Sequence, residues 1–600
     1  MILQALTERY ETLAEEGRLP RAGWSDTAIS FALYINDAGG LEDVVSLKQP
    51  QTRGKKEVLA PRALSLPAPV KRSSGVASNF LWDNSSYLLG LDDKGKPARS
   101  LECFAACRAL HHALLDPVDS PAARAVLAFF DHWDPAAARR HPALAGRLEE
   151  VLGAANLIFR REGGFPHEDP LIRQAWQARY NSSDDGPEMV CLVTGKKEPA
   201  QKVHPAIKGV AGAQPSGAAL ISFNGEAFCS YGHEQSLNAP VGKYAAFAYT
   251  TALNALLADR EHLGRIGDAT VLFWAQNGKN AYQDFFRMSL FDPPASASPA
   301  EAQASLFDAP ASYSAADLQK MLLDLCQGRS VVFDDTRLDP DATFYILGLS
   351  PNAARLSVRF FLKNSFGRFL QNIQAHNERL RIAKPSYDRF ETLSVWRMLN
   401  ETVNQNARDK SPVPGLAGEV LQAVLDDTRY PATLLNGVTL RIRAEREITR
   451  GRAAILKAYY LKNPHPKEVP KEVLTVSLNP ESTNIPYTLG RLFSVYEAIQ
   501  ADANPGINAT IKDKYFNSAA STPASIFPIL GNLAQKHLKK MRGSNRGRCI
   551  GYEKQLSELA GILGEEFPAR MSLPQQGSFQ LGYYQQTQAR YQKKEEKQDV

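Results

Sequence analysis

The run Ile485-Pro486-Tyr487-Thr488-Leu489-Gly490-Arg491-Leu492-Phe493-Ser494-Val495-Tyr496-Glu497-Ala498-Ile499 decides how the C-terminal part of the chain folds. Ile485, Leu489, Leu492, Phe493, Tyr496 and Ile499 recur at helical spacing, so one face is apolar. Thr483 or Asn484 can cap this helix, Pro486 suits its first turn, and Pro505-Gly506 ends it. Downstream, Leu530, Leu533, His537, Leu538 and Met541 predict a second amphipathic helix. Tyr552, Leu556, Leu559 and Leu563 predict a third. The connections are short, which implies an antiparallel helical bundle over residues 386–600.

Upstream the period changes from helix to strand. Residues 343–361 read as a hairpin about Ser350-Pro351-Asn352-Ala353. In its second strand Arg355, Ser357 and Arg359 alternate with Leu356, Val358 and Phe360, giving a basic face or an ordinary solvated one. Residues 291–316, with Pro293-Pro294-Ala295-Ser296-Ala297-Ser298-Pro299, have the composition of a flexible insertion. Strand-like pieces occur at Val190–Val193, Ala219–Phe223 and Thr270–Trp274, with a helix from Lys243 to about Arg260. Residues 99–158 look helical, broken at Asp131–Pro135. Residues 28–48 alternate around the turn Asn36-Asp37-Ala38-Gly39-Gly40, and Lys48–Arg72 reads as a basic loop. Residues 1–17 form an acidic helix rather than a secretory signal.

The expected fold is therefore α+β: a mixed N-terminal region with an antiparallel sheet and helices, then an all-α bundle. The expected divisions are 1–290, the insertion 291–316, a hairpin-containing connection 317–385 and the bundle 386–600. Hydrophobic residues are 44% of the 600 and charged ones 22%, which excludes disordered, collagenous and disulfide-scaffold classes. Lys and Arg number 70 against 64 acids, so the net +6 matters only where basic residues cluster. Six scattered cysteines, none in a C-x-x-C pair, suit a reducing cytoplasm, and no long apolar run predicts a membrane span.

Catalytic signatures are absent from the sequence: no H-E-x-x-H, no G-x-S-x-G and no phosphate-binding G-x-x-x-x-G-K-[ST]. Cys191 with His204 or His233 is a thiol–imidazole pair that a thiol hydrolase could use, and a nuclease would need carboxylates beyond Asp334-Asp335 and Asp426-Asp427. No metal or cofactor is expected. Four basic or amide-rich segments stand out instead. In Lys71-Arg72-Ser73-Ser74-Gly75-Val76-Ala77-Ser78-Asn79-Phe80, cations, hydroxyls and a bare backbone suit phosphate, while Asn79 and Asn84 carry the paired donor and acceptor that base edges need. Residues 202–217 place Lys208, Gly209, Gly212, Gln214 and Ser216 on a glycine-rich loop where Gln214 can wedge a base step, and Ser230–Asn238 continues that style. A helix through 446–460 would align Arg446, Arg450 and Lys457 opposite Ile448, Ile455 and Tyr459. Lys536, Lys539, Lys540, Arg542, Arg546 and Arg548 follow one another with no acid before Glu553.

The opening Met1–Leu6, Lys71–Gly90, Cys191-Leu192-Val193-Thr194-Gly195, His204–Pro240, Asn484–Asn517 and Leu581-Gly582-Tyr583-Tyr584 resemble, in order along the chain, the large subunit of type I-C CRISPR surveillance complexes (Cascade). The resemblance implies a non-catalytic subunit that reads a protospacer-adjacent motif in double-stranded DNA and starts strand separation. It implies as partners the crRNA-bound backbone subunits, a helicase-nuclease, and a small subunit made from an internal start in the same gene, at Met398, Met541, or a valine such as Val473 or Val476. Carried onto this chain, motif reading or wedging falls to Asn79, Asn84, Gln214, Ser216 and Gln235. Phosphate contacts fall to Lys71, Arg72, Ser73, Ser74, Gly75, Lys208, Gly209 and Gly212. Single-strand contacts in the bundle fall to Arg446, Arg450, Lys457, Lys536, Lys539, Lys540, Arg542 and Arg546.

Overall fold

A computed structural model describes the chain except residues 54–55, 71–74, 92–94, 154–155, 183–185, 224, 260–262, 291–312, 314, 389–392, 409, 565 and 596–600. The 291–316 insertion falls almost wholly outside the described residues. The fold is α+β. Two compact units divide it: Leu3–Pro205 with Ser222–Ala252, and Ala206–Ile221 with Leu253–Val600.

In the first unit, four strands order as Leu41–Ser46, Phe31–Ile35, Leu157–Arg160 and Trp82–Asp83. The central pair, Phe31–Ile35 with Leu157–Arg160, is parallel and its neighbours are antiparallel. The expected turn at Asn36–Gly40 joins the first two strands. The Asn36 side-chain oxygen accepts from Ala38 N (3.1 Å) and Gly40 N (2.8 Å), the local bonding that makes Asn a turn residue. Alternation sorts the sheet residues. Phe31, Leu33 and Ile35 enter a core with Phe104, Phe129 and Phe130, while Ala32 and Ile158 face Ile29, Leu66 and Trp82. The described residues of 48–72 are mostly strand and not the basic loop expected from their charges. Gln49–Arg53 pairs with Lys56–Ala60, and Arg62–Pro67 pairs with Trp24–Ile29, because burying Leu66 against Ile29 outweighs the loop-like composition.

The second unit holds the sheet Leu263–Ile266, Ala269–Ala275, Thr343–Asn352 and Arg355–Ser365. Residues on both sides of the insertion therefore share one sheet. The expected hairpin is present, with one departure. Gly348 opposes Phe360 and Leu349 opposes Val358, so Arg359 is an extra residue and the alternation slips there. Val358 accordingly faces away from Phe360 and is 41% exposed while Phe360 is buried, and Arg359 pairs with Asp268 at 2.9 Å. Among the described residues, the strand-like run Ala219–Phe223 makes only an isolated bridge, Ala219 to Arg355.

The bundle follows its periodicity. Asn484 caps Ile485–Ala503 by accepting from Tyr487 N (3.0 Å), and Pro486 sits in the first turn. This helix crosses the terminal helix Leu573–Glu595 almost backbone to backbone. A Cβ on Gly490 would lie 1.9 Å from the Phe579 carbonyl, and one on Gly582 would lie 2.1 Å from that of Tyr487. Only glycine permits such an approach. The crossing is also polar inside: Ser494 meets Thr587 (2.8 Å) and Arg491 donates to Gln586 (3.2 Å). Ile511–Ser521, Pro523–Arg542 and Arg546–Leu563 complete the bundle.

The helix expected through 446–460 is broken. Ala432–Glu445 ends with Arg446 in the left-handed region (φ 55°), and a new helix, Arg450–Lys462, starts at its cap Thr449. A left-handed cap turns the chain sharply, so Arg446 does not share a face with Arg450 and Lys457.

Candidate nucleic-acid interface

The first candidate segment is closed at its base by its own asparagine. Asn79 is 6% exposed, and its side-chain oxygen accepts from Val70 N at 2.9 Å. Its own N–H donates to Asp83 (2.9 Å). Leu81 sits at φ 67° and donates its N–H to His111 Nε2 (2.9 Å), while His111 Nδ1 bonds the Cys107 carbonyl (2.7 Å). Complete burial lowers the His111 pKa to about 4, so the ring is neutral and can accept. Trp82 donates to the Pro67 carbonyl (2.9 Å), and Phe80 stacks on Trp176. Asn79 is thus placed to hold the two ends of the segment together. Lys71, Arg72, Ser73 and Ser74 lie outside the described residues. Gly75 is exposed, its carbonyl accepting from Arg99 (3.3 Å). Asn84 is committed as the cap of Ser85–Leu88, accepting from Ser86 N at 3.0 Å.

The second segment is a loop shaped by its backbone. Ile207 and Ala218 bond each other in both directions (2.9 and 2.8 Å), closing residues 208–217. Gly217 takes φ 103° where a Cβ would meet Ala206 at 2.9 Å, so glycine is required at that closure. Asn254 staples the loop's start, accepting from Lys208 N (2.8 Å) and donating to the Ala206 carbonyl (3.1 Å). Val210 is buried, Ala211 N donates to Thr270 (3.3 Å), and Gly217 N donates to the Gln214 carbonyl (2.9 Å). The side chains of Lys208, Gln214 and Ser216 are exposed, with Gly209 and Gly212 bare between them. Five of the expected residues therefore share one ordered loop.

In the first unit, Asn238 organises a further loop. It accepts from Ser230 N (2.8 Å) and donates to the carbonyls of His233 (3.0 Å) and Gln235 (2.9 Å). Tyr231 and Gln235 are held at positive φ (52° and 50°), and the Tyr231 ring is 98% exposed. Such strain in non-glycine residues clusters at functional loops. The staples Asn254 and Asn238 carry no sequence signal of this role, since each acts through backbone groups that only the fold brings near.

In the bundle the basic residues part ways. Lys457 is 3% exposed, with Nζ donating to the Arg379 carbonyl (3.0 Å) and burial lowering its pKa to about 8. Arg450 pairs with Asp388 at 2.7 Å, and Arg446 is exposed at its helix end. Lys536, Lys539, Lys540, Arg542, Arg546 and Arg548 are all exposed. Acids reach part of this run, Glu553 taking Arg542 and Asp502 taking Arg548 (3.3 Å), while Lys540 donates to the neutral Asn504 side chain (2.7 Å). Among the described residues, Lys536, Lys539 and Arg546 have no such partner.

A family model described as CRISPR-associated protein (Cas_Csd1) matches residues 6–591. The chain belongs to this family. It is accordingly a CRISPR-associated Cascade subunit. No curated protein matches the chain. Within this Csd1-family chain the Cys191 thiol is buried and accepts from Gly242 N (3.1 Å) and Thr194 N (3.5 Å). Neither His204 nor His233 bonds that thiol among the described residues, and the His204 ring is buried against the Tyr249 hydroxyl (2.7 Å). The Cys191-Leu192-Val193-Thr194-Gly195 motif thus forms a turn in which sulfur satisfies backbone donors. Among the described residues no three His, Cys, Asp or Glu side chains converge as a metal site would require, and no helix is long and apolar enough to cross a membrane.

Proposed function

We propose that this chain is the non-catalytic large subunit of a type I-C Cascade, working in the cytoplasm. It reads the protospacer-adjacent motif in double-stranded DNA, promotes opening of the duplex with the crRNA-bound backbone, and supports recruitment of the helicase-nuclease. The observation that carries the reading is the closed loop 208–217. Its glycine backbone, two bonds between Ile207 and Ala218 and the Asn254 staple fix it before any partner arrives, and it turns Lys208, Gln214 and Ser216 outward. A preset loop loses little freedom on binding, so an amide on it can discriminate base edges and a lysine can hold phosphate. The loop organised by Asn238, with Gln235 and Tyr231, serves as a second reader or wedge. Asn79 serves by positioning the backbone at Val70 beside its own segment.

The bundle face with Lys536, Lys539 and Arg546 holds nucleic acid without sequence preference. The internally initiated small subunit is best started at Val473 or Val476. Both precede Ile485–Ala503 and leave every later helix whole, whereas Met398 lies buried inside Val395–Asn400 and Met541 near the end of Pro523–Arg542.

The test is a selection with the assembled complex on a target flanked by randomised trinucleotides. A few trinucleotides should be enriched, and Gln214→Ala should relax that preference by about 1–3 kcal/mol. A flat profile with undiminished target binding would remove motif reading from this subunit.

A further inference from the structure

We propose that a cleft of about 430 Å³ in the second unit seats one unpaired nucleotide, its base on Trp396 and its phosphate between Arg265 and Lys410. The inference rests on the reading of the chain as a nucleic-acid-binding subunit and concerns none of the loops above.

Three elements build the cleft. Arg265 lies on the edge strand Leu263–Ile266, which turns through Gly267-Asp268 into the next strand. Gly267 takes φ 59°, where a Cβ would meet Ala417 at 2.8 Å, so the turn lies tight against the helix Leu416–Leu425. The one acid of the turn, Asp268, is engaged by Arg359 at 2.9 Å. It is therefore not spent on Arg265, which is exposed and has no ion-pair partner among the described residues. The short helix Val395–Asn400 buries Val395, Met398 and Leu399. That leaves Trp396 pointing outward, 54% exposed, with no aromatic neighbour among the described residues. Gln405 donates to the Asn400 carbonyl at 3.1 Å, tying itself to the helix end, and Lys410 also lines the cleft.

The lining thus offers an open indole face, two cations, two carboxamides and no carboxylate among the described residues. An exposed indole beside two cations is the pairing that unpaired bases use, stacking on the ring while the cations meet phosphate. A flat aromatic anion satisfies each element at once: the base stacks, the phosphate meets the cations, and the amides of Asn400 and Gln405 edge the base. The volume falls in the range of small-ligand sites rather than of flat protein interfaces.

The test uses the full chain with a short labelled oligothymidylate, the matching oligouridylate and thymidine monophosphate, alongside a duplex. Trp396→Ala should weaken binding of the unpaired oligonucleotides about tenfold, and Trp396→Phe should restore most of it. Arg265→Ala and Lys410→Ala should each lower the salt slope for the single strand by about 0.7. Duplex affinity and unfolding midpoints should not move. Competition by the monophosphate as strong as by the oligonucleotides would assign the seat to a free nucleotide; competition by oligonucleotides alone assigns it to a strand, DNA or RNA by the relative affinities. Unchanged single-strand affinity in Trp396→Ala would overturn the proposal. So would a variant that binds oligonucleotides normally and fails to join the other Cascade subunits, which would make the cleft a protein contact. Failure of the wild-type chain to bind any nucleic acid would instead contradict the function on which the inference rests.

Discussion

Every residue from Gly451 to Tyr460 is buried in the helix Arg450–Lys462, lysine and arginine included. Lys536, Lys539 and Arg546, from a stretch of similar basic character, stand in solvent. The difference lies in what surrounds each helix. The first packs against helices on several sides; the loop residue Asp388 meets Arg450, Glu401 and Glu445 meet Arg452, and the Arg379 carbonyl meets Lys457. Buried cations persist only when so paired. Lys536 and Lys539 lie where Phe527, Leu530, Ala534, Leu538 and Met541 fill the inner face of Pro523–Arg542 and leave the outer face to water, and Arg546 opens the next helix, Arg546–Leu563. Basic sequence therefore marks a candidate nucleic-acid surface only where the fold leaves the charge uncompensated.

Removing an acid from the buried side gives the largest expected effect. Glu401 faces Arg452 (3.3 Å) and accepts from Thr449 (2.8 Å). Glu401→Ala should cost about 3–5 kcal/mol in urea unfolding, because it leaves a buried guanidinium short of charge. A cost typical of a surface change would mean the cluster is open to solvent. Next, Lys457→Met should be near neutral at pH 7, since replacing a buried charge by a matching apolar chain is often so. Its pH dependence is sharper. Folded Lys457 releases its proton near pH 8, against an ordinary 10.5, so between these values the unfolded state holds more protons. Wild type should gain stability relative to Lys457→Met as pH rises from about 8 to 10.5, with a constant difference below that window. The reverse slope would place the ammonium in a favourable ion pair. Arg546→Ala, on the exposed side, should change stability by no more than about 0.5 kcal/mol.

The bundle was legible because its apolar residues repeat at a period that only a helix satisfies, and the Asn484 cap and Pro486 agreed with it. The break at Arg446 was not legible, since a left-handed arginine has no composition signal. Nor was the bulge at Arg359, which depends on Gly348 meeting the Phe360 ring across the sheet. At the candidate interface the glycine–glutamine loop could be read from its residues. The inward turn of Asn79 could not, because its partner Val70 N–H is a backbone group that needs a donor–acceptor match only after folding. The acids that compensate Arg542 and Arg548 come from outside the basic run, so counting charge along the chain overstated how much of it is free.

Exposed, uncompensated cations, and not buried ones, are expected to hold nucleic acid. The most direct test measures duplex affinity against salt for the assembled complex carrying Lys536→Ala, Lys539→Ala and Arg546→Ala together, beside Lys457→Met. The triple variant should bind every sequence more weakly and lower the slope of log affinity against log salt by up to about 3, while Lys457→Met leaves the slope unchanged. A slope untouched by the triple variant, or lowered by Lys457→Met, would contradict the account.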